Sequence, residues 1–393
     1  MVYLDHAATT ALNPSAREAM LPFLVGEFGN PSGLYRAGQV AQKAVDQARG
    51  TVARLLGARE SEIIFTSGGT ESINSALLGI AHAMRRAGAG YHVITTAIEH
   101  HAGLHAAQHL EELGFDVTLL GCDSRGRVSV GEFEAALRSE TVLASVMLAN
   151  NEVGTIQPIE EISQVVRDFV KLRQHRVLLH TDAVQAPGWR PLAPVVEGVD
   201  AMSLSSHKFG GPKGSGILFL KRGTPFLPLL HGGGQEMQKR AGTENVAGIV
   251  GTSVALEIAS LGHRERIRRV AALREQLVSG ILELVPDALV NGSKTDCLPN
   301  NLNISFEGIE SDAMVAALDR RDIAVSSGSA CSNSMWEPSH VLVAMGVPIR
   351  RAVASLRFSL GEDNTVDDVK SVLAALPEEL ATLRGASLGS TSD

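Results

Sequence analysis

Lys208 is the residue of this chain best placed for covalent chemistry. It closes the run Ser203-Leu204-Ser205-Ser206-His207-Lys208, and the turn Phe209-Gly210-Gly211-Pro212-Lys213-Gly214 follows at once. A lysine at the end of an apolar-alternating run, between a histidine and a glycine-rich turn, can lose part of its hydration. That lowers its pKa and frees the amine as nucleophile or base. Upstream, Leu178-Leu179-His180-Thr181-Asp182 ends a second strand-like run on a carboxylate. An amine for an aldehyde and a carboxylate for a pyridine nitrogen are the two groups that pyridoxal phosphate chemistry asks of a protein. A lysine without such context is ordinarily a solvated surface charge.

Other segments carry chemistry of their own, each beside a plainer explanation. Ser67-Gly68-Gly69-Thr70-Glu71 follows Ile63-Ile64-Phe65 and opens a helical pattern. A glycine turn at a helix N-terminus offers free N–H groups to a phosphate, with the Thr70 hydroxyl beside them, and it is equally a structural turn. It is neither a dinucleotide fingerprint nor a Walker loop, which disfavours dinucleotides and nucleoside triphosphates. His100 ends a strand-like run, where a ring can stack on a flat cofactor and move a proton. His101, His105 and His109 share a helix face, but no carboxylate or cysteine is in register, so solvated histidines are favoured over a metal site and none is assigned. Asn150-Asn151 and Gln185 fall at strand ends, where amides can bond a phenolic oxygen or make a turn.

Further on, His231-Gly232-Gly233-Gly234-Gln235 and Arg240-Ala241-Gly242-Thr243 form a long glycine-rich connection, functional by the charge of Arg240 and the hydroxyl of Thr243. Ser326-Ser327-Gly328-Ser329-Ala330-Cys331 carries one cysteine among small residues, a candidate nucleophile on an exposed loop. Cys122 and Cys297 are taken as inert buried thiols. Arg357 lies in a strand with Ser355 and Ser359 on its face, where it can clamp a carboxylate or pair structurally.

The elements that position these groups follow from apolar periodicity. Short runs at Ile63-Ile64-Phe65, His92 to Thr95, Val117 to Leu120, Val142 to Leu148, Val177 to Leu179, Ala201 to Leu204 and Ile217 to Leu220 alternate with amphipathic stretches. Ile73, Leu77, Ile80 and Met84 recur at helical spacing, as do Ile159, Ile162, Val166 and Phe169. Strands alternating with helices give an α/β fold with a mostly parallel sheet, whose ligand sits at the carboxyl ends of the strands. Thr70, His100, Asn151, Asp182 and Lys208 all fall at such ends. After residue 260 the texture changes. His263 to Glu283 is a charged helix with Ile267, Val270, Leu277 and Ile281 as its buried stripe, and the strands Leu302 to Phe306 and Ala354 to Phe358 suit a smaller α+β domain. The expected division is a large domain over 14–260, a small one from 1–13 and 261–384, and a disordered tail over 385–393.

At 393 residues the chain is long enough for two domains. Its net charge of −8 argues against nucleic acid or an anionic membrane as the main partner. It shows neither a signal-peptide pattern at its start nor an apolar run of membrane-spanning length. Three scattered cysteines make no zinc spacing and suit a reducing cytosol, so a cytoplasmic location is expected.

Taken together these segments resemble the cysteine desulfurases, pyridoxal phosphate enzymes of the class V aminotransferase group with the type I transferase fold. The resemblance runs from Tyr3-Leu4-Asp5-His6-Ala7-Ala8-Thr9-Thr10 to Leu356-Arg357-Phe358-Ser359-Leu360-Gly361. It implies that Lys208 is the Schiff-base lysine, Asp182 the partner of the pyridine nitrogen and His100 the ring-stacking histidine. Asn151 and Gln185 become contacts to the ring hydroxyl. Gly69, Thr70, Ser205 and His207 belong to the phosphate site, with Thr243 reaching in from a second subunit of a homodimer. Asn30 and Arg357 take the substrate carboxylate, and Cys331 accepts sulfur. The implied reaction converts L-cysteine to L-alanine and leaves a persulfide on Cys331, for an acceptor protein in iron–sulfur assembly or tRNA thiolation. Selenocysteine lyase, β-lyase and aminotransferase chemistry are alternatives on the same frame, and a non-catalytic sulfur carrier is a third reading. The chain departs from the pattern at Ser206, at Gln238-Lys239 and at Met335-Trp336.

Overall fold

Seven short strands, six of them buried along their whole length, build the central sheet. The computed structural model describes residues 1–173, 175–327 and 338–389. The strands are β1 (Val2–Tyr3), β2 (Ile63–Thr66), β3 (His92–Thr96), β4 (Asp116–Leu120), β5 (Thr141–Ser145), β6 (Leu178–Asp182), β7 (Ala201–Ser205), β8 (Gly216–Leu220), β9 (Leu289–Asn291), β10 (Asn301–Ser305), β11 (Ile323–Ala324) and β12 (Ser355–Ser359). The large sheet has the order β2-β8-β7-β6-β5-β3-β4. All its neighbours are parallel except at β8, which runs antiparallel to both β2 and β7. The Ser206–Ser215 connection explains the exception, because it is too short for the crossover helix that a parallel return requires.

Alternate residues of each strand face opposite cores. Ile64, Leu178 and Leu218 pack under helices Gly69–Arg86 and His101–Glu112. Phe65, Leu179 and Phe219 pack on the other face, against helices Arg36–Leu56, Ile159–Arg173 and Val246–Ser260. A sheet covered on both sides needs these near-continuous apolar strands. It also leaves the strand ends as the place where polar residues can gather.

A second core lies around the antiparallel sheet β12-β10-β9. Helix His263–Leu284 supplies Val270, Leu273, Leu277 and Ile281 to it, and helix Val366–Gly389 supplies Val372 and Leu376. Leu273 joins the expected stripe, whereas Ile267 is only partly buried. The residues expected as a tail begin differently. Helix Val366–Gly389 runs through 385–389, because a helix already anchored by Arg384 to Glu307 and Asp287 gains one hydrogen bond per added residue. Residues 390–393 lie outside the described residues.

The N-terminal segment joins the two cores. β1 pairs with β11, Asp5 bridges to Ser359, and then Thr10 N donates to His207 O and Asn13 N to Gly210 O. The chain therefore starts in the small core and crosses directly over the ends of β6 and β7. No single helix among the described residues is long and apolar enough to cross a membrane.

Leu277 is fully buried in the second core. Leu277→Ala is expected to cost about 2–5 kcal/mol, since the removed methyl groups leave a cavity that helix packing refills only in part. Urea unfolding monitored by circular dichroism measures it, and a loss under about 1 kcal/mol would contradict this packing.

Candidate functional site

A cavity of ≈ 580 Å³ opens at the carboxyl ends of the parallel strands. Lys208 reaches it from a 3-10 turn, Ser206–Lys208, immediately after β7. Its Nζ donates to the carbonyls of Ala7 at 2.6 Å and Ala8 at 2.7 Å. The amine is thus held by the crossing N-terminal segment. Gln185 Nε2 donates to the same Ala7 carbonyl at 3.0 Å, so the amide and the amine share an acceptor.

Asp182 closes β6 at the cavity floor and is 6% exposed. Its Oδ1 accepts from Val184 N at 2.8 Å. Burial raises its pKa to about 6, with the Val184 amide and the Lys208 charge opposing the rise. His100 caps helix His101–Glu112, its Nδ1 accepting from Ala102 N at 3.1 Å. Burial lowers its pKa to about 4, and the nearby Lys208 charge adds to the effect. The ring is neutral at physiological pH. With Nδ1 accepting, its hydrogen sits on Nε2. His207 is held the same way, down to about 4 by burial and then Lys208, with Nδ1 beside Thr9 Oγ1 at 3.1 Å.

The glycine turn does line the cavity, with Gly68, Gly69 and Thr70 at the N-terminus of helix Gly69–Arg86. Close approach needs the glycines. A Cβ on Gly69 would lie 3.1 Å from both Ser205 Cβ and Val184 Cγ2, and one on Gly216 would lie 2.7 Å from Gly68 backbone. The unusual Ser206 is absorbed below the turn. Its hydroxyl accepts from Thr252 at 2.8 Å, and a Cβ on Gly211 would collide with it at 2.0 Å.

Across the cavity, Arg357 on β12 is almost wholly buried. Its Nη2 pairs with Asp5 at 2.8 Å, its Nη1 donates to Asn151 O at 3.1 Å, and its Nε has no partner. Asn151 Oδ1 is likewise buried without a partner. Glu152, next to Asn151 in the chain and on the same cavity, was left without a role by the sequence reading. Burial raises its pKa to about 7, against the Ser339 hydrogen bond and the Arg357 charge. Ser339 donates to Glu152 Oε2 and also caps helix His340–Ala344. Glu99 is a second buried acid without a role, raised to about 8 by burial while accepting from Met147 N and Thr96 Oγ1. The available signal for both was a carboxylate directly after an apolar strand.

Asn30 and Thr243 do not join the site within this chain. Both are exposed, and neither lines the cavity. Asn30 Oδ1 instead accepts from Ser32 N. Cys331 lies outside the described residues, but the flanking positions are described. Ser326 bridges to Arg357, and Ser339 bonds Glu152. Cys122 and Cys297 are half-buried rather than buried. Burial raises both thiols, Cys122 to about 11, which keeps them protonated and unreactive.

Comparison with known proteins gives a consistent picture. The family model Aminotransferase class-V matches residues 2–372. A protein named cysteine desulfurase IscS from Dictyoglomus turgidum is 45% identical, over 98% of this chain and 95% of its own. Its namesake from Methanosarcina thermophila is 47% identical, over 98% of this chain and 93% of its own. Among solved structures, a NifS-like protein superposes with a TM-score of 0.90 at 40% identity, covering 97% of this chain and 99% of that one. A structure of SspA in complex with cysteine gives 0.79 at 34% identity, covering 93% and 100%.

The raised pKa of Asp182 has a definite consequence for stability. The folded, ligand-free chain binds this proton more tightly than the unfolded chain, whose value is 3.8. That contribution is complete below about pH 4 and is lost as pH rises through about 6. Asp182→Asn removes the titration. The urea midpoint of wild type is expected to fall relative to the variant across this window, the histidine titrations being common to both. A difference that stays constant with pH would show that Asp182 does not titrate there.

Proposed function

Because this chain belongs to the cysteine desulfurases of the class V aminotransferase family, we propose that its cavity holds pyridoxal phosphate between Asp182 and Lys208, and that Cys331 takes the sulfur of L-cysteine. Enzymes of this family are pyridoxal phosphate enzymes. The observation that carries the reading here is a pair of opposite function on one cavity, the buried Asp182 carboxylate and the half-buried Lys208 amine. The donor set fits the cofactor. The partnerless Asn151 Oδ1 suits a phenolic hydroxyl. The Gly68-Gly69 turn, at the positive end of an 18-residue helix and beside Ser205, suits the phosphate.

Bound there, pyridoxal phosphate supplies an electron sink for negative charge at the substrate Cα. Asp182, ionised above about pH 6, holds a proton on the pyridine nitrogen. Lys208 Nζ, once released, takes the Cα proton, and the Ala7 and Ala8 carbonyls hold the resulting ammonium. His100 would stack on the ring, and its neutral imidazole would donate from Nε2. Arg357 receives the substrate carboxylate on its unpartnered Nε and on Nη2, in exchange for Asp5. The Cys331 thiolate then attacks the substrate Sγ. The S–S bond forms as the Cβ–S bond breaks, the electron pair goes to Cβ, and a proton completes the alanine methyl. One thiol and one cysteine give one persulfide and one alanine. The anchoring of Ser326 and Ser339 beside the cavity supports this reach.

Two copies complete the site in this reading. Asn30 and Thr243 stand outside the cavity of their own chain. The segment around Asn30 exposes Leu24, Val25, Phe28, Leu34 and Tyr35, with Phe28 at 84% and Leu34 at 92%. An apolar surface of this kind marks a protein interface, and a homodimer fits it. The persulfide would pass to an acceptor protein of iron–sulfur assembly or tRNA thiolation in the reducing cytoplasm.

Brief exposure to L-cysteine without reductant, followed by peptide mass analysis, tests the central claim. One added sulfur on Cys331 with alanine in solution is expected, and Cys331→Ser should abolish both sulfur loading and turnover. Pyruvate and ammonia with unmodified Cys331 would indicate a β-lyase instead. Gly216→Ala is expected to hold the cofactor more weakly, in protein whose fold circular dichroism confirms, because its Cβ would lie 2.7 Å from Gly68 backbone and displace the phosphate turn. Spectrophotometric titration of the cofactor-free variant measures this, and unchanged affinity would argue against that phosphate site.

A further inference from the structure

Three consecutive residues other than glycine, Glu236, Met237 and Gln238, adopt left-handed backbone with φ of 47°, 57° and 64°. Side chains with a Cβ visit this region singly, because the Cβ crowds the following carbonyl oxygen. A run of three persists only where the surroundings over-determine it, and such outliers gather where geometry matters for function.

The surroundings here are unusually specific. Glu236 is 5% exposed, and its carboxylate takes both Nη1 and Nη2 of Arg49 at 2.8 Å. It also accepts from Phe65 N at 2.9 Å. Arg49 in turn donates to Ile63 O at 2.6 Å and lies over the Phe65 ring, 4.9 Å from its centroid. The pair is therefore locked onto β2, the strand that leads into the turn 67–71. Past the left-handed run, Lys239 Nζ donates to Ser61 O, Arg240 pairs with Glu71 at 2.9 Å, and Gly242 N donates to Gln235 Oε1. All of these ties fasten the strap 234–242 to its own chain. The residue delivered at its end, Thr243, is exposed and stands away from its own cavity.

We propose that Arg49 and Glu236 are a positioning pair that holds the strap in its left-handed course, so that Thr243 is presented to the cofactor phosphate of a second copy. The inference rests on the dimer reading above. A buried ion pair is a weak source of stability, since apolar residues of similar volume commonly replace one without loss. What a bidentate pair supplies, and an apolar pair does not, is a fixed orientation. The pair therefore serves placement, and its effect falls on the neighbouring active site rather than on its own.

The test uses cofactor-free dimers titrated with pyridoxal phosphate and read by the visible absorption of lysine-linked cofactor. Glu236→Gln is the first variant. Arg49→Met combined with Glu236→Leu is the second, because it leaves no unpaired buried charge. Both homodimers are expected to bind cofactor at least about tenfold more weakly than wild type. Mixed dimers are then made from one strap-variant subunit and one Lys208→Ala subunit. The absorption reports only the strap-variant subunit's site, which the other subunit's intact strap serves. Wild-type affinity at that site is expected. Affinity as weak as in the variant homodimer, or variant homodimers that bind like wild type, would overturn the proposal. A wild-type protein that elutes as a monomer on size exclusion would overturn the dimer reading, and the proposal with it.

Discussion

A buried carboxylate and a half-buried amine on one cavity set the terms for the rest of this molecule. Asp182 at the end of β6 is costly to ionise where it lies, and the Lys208 charge offsets part of that cost. Neighbouring parallel strands bring the two together, since β6 and β7 end side by side with Asp182 registered on Ser203. The half-buried amine then needs acceptors to replace part of its water. The carbonyls of Ala7 and Ala8 supply them, and this requirement draws the N-terminal segment from the small core across the large one. One local electrostatic demand thereby joins the two parts of the chain.

Burial, opposed to different degrees by hydrogen bonds and neighbouring charges, sorts the ionisable groups of the site. Burial lifts Glu99 to about 8, Glu152 to about 7 and Asp182 to about 6, and it lowers His100 and His207 to about 4. Near neutral pH the two histidines are therefore uncharged, Glu99 stays largely protonated and Asp182 ionised. Groups of like type with values pushed apart are how one site holds acid and base roles together. Arg357 completes the balance. Asp5 occupies one arm of its guanidinium while Nε has no partner, so a carboxylate bound there, as proposed, would exchange one ion pair for another.

The departures from the family pattern are physically accommodated where they are described. Ser206 fits because Thr252 donates to its hydroxyl and Gly211 leaves room for it. Gln238 adopts a left-handed backbone that glycine would take without strain, so the Arg49–Glu236 pair has more to hold in this chain. Lys239, its neighbour, gains a carbonyl partner at Ser61.

Local pattern alone determined much of this. Apolar runs marked the strands, helical spacing marked the helices Gly69–Arg86, Ile159–Arg173 and His263–Leu284, and polar residues at the ends of those runs marked Lys208, Asp182, His100 and Asn151 as one group. These features are legible because burial of a strand or a helix face constrains neighbours in sequence. Glu152 and Glu99 were visible as letters and invisible as chemistry, since their protonation depends on which distant groups bury them. The Ala7 and Ala8 carbonyls have no side-chain signature at all. Thr243 was expected to serve a second subunit, whereas Asn30 read as a residue of its own site, and only the fold revealed that it too lies off the cavity of its own chain. The antiparallel turn of β8, the Asp5–Arg357 pair and the left-handed strap were decided by tertiary contacts, because each depends on groups far apart in sequence whose meeting no local period encodes.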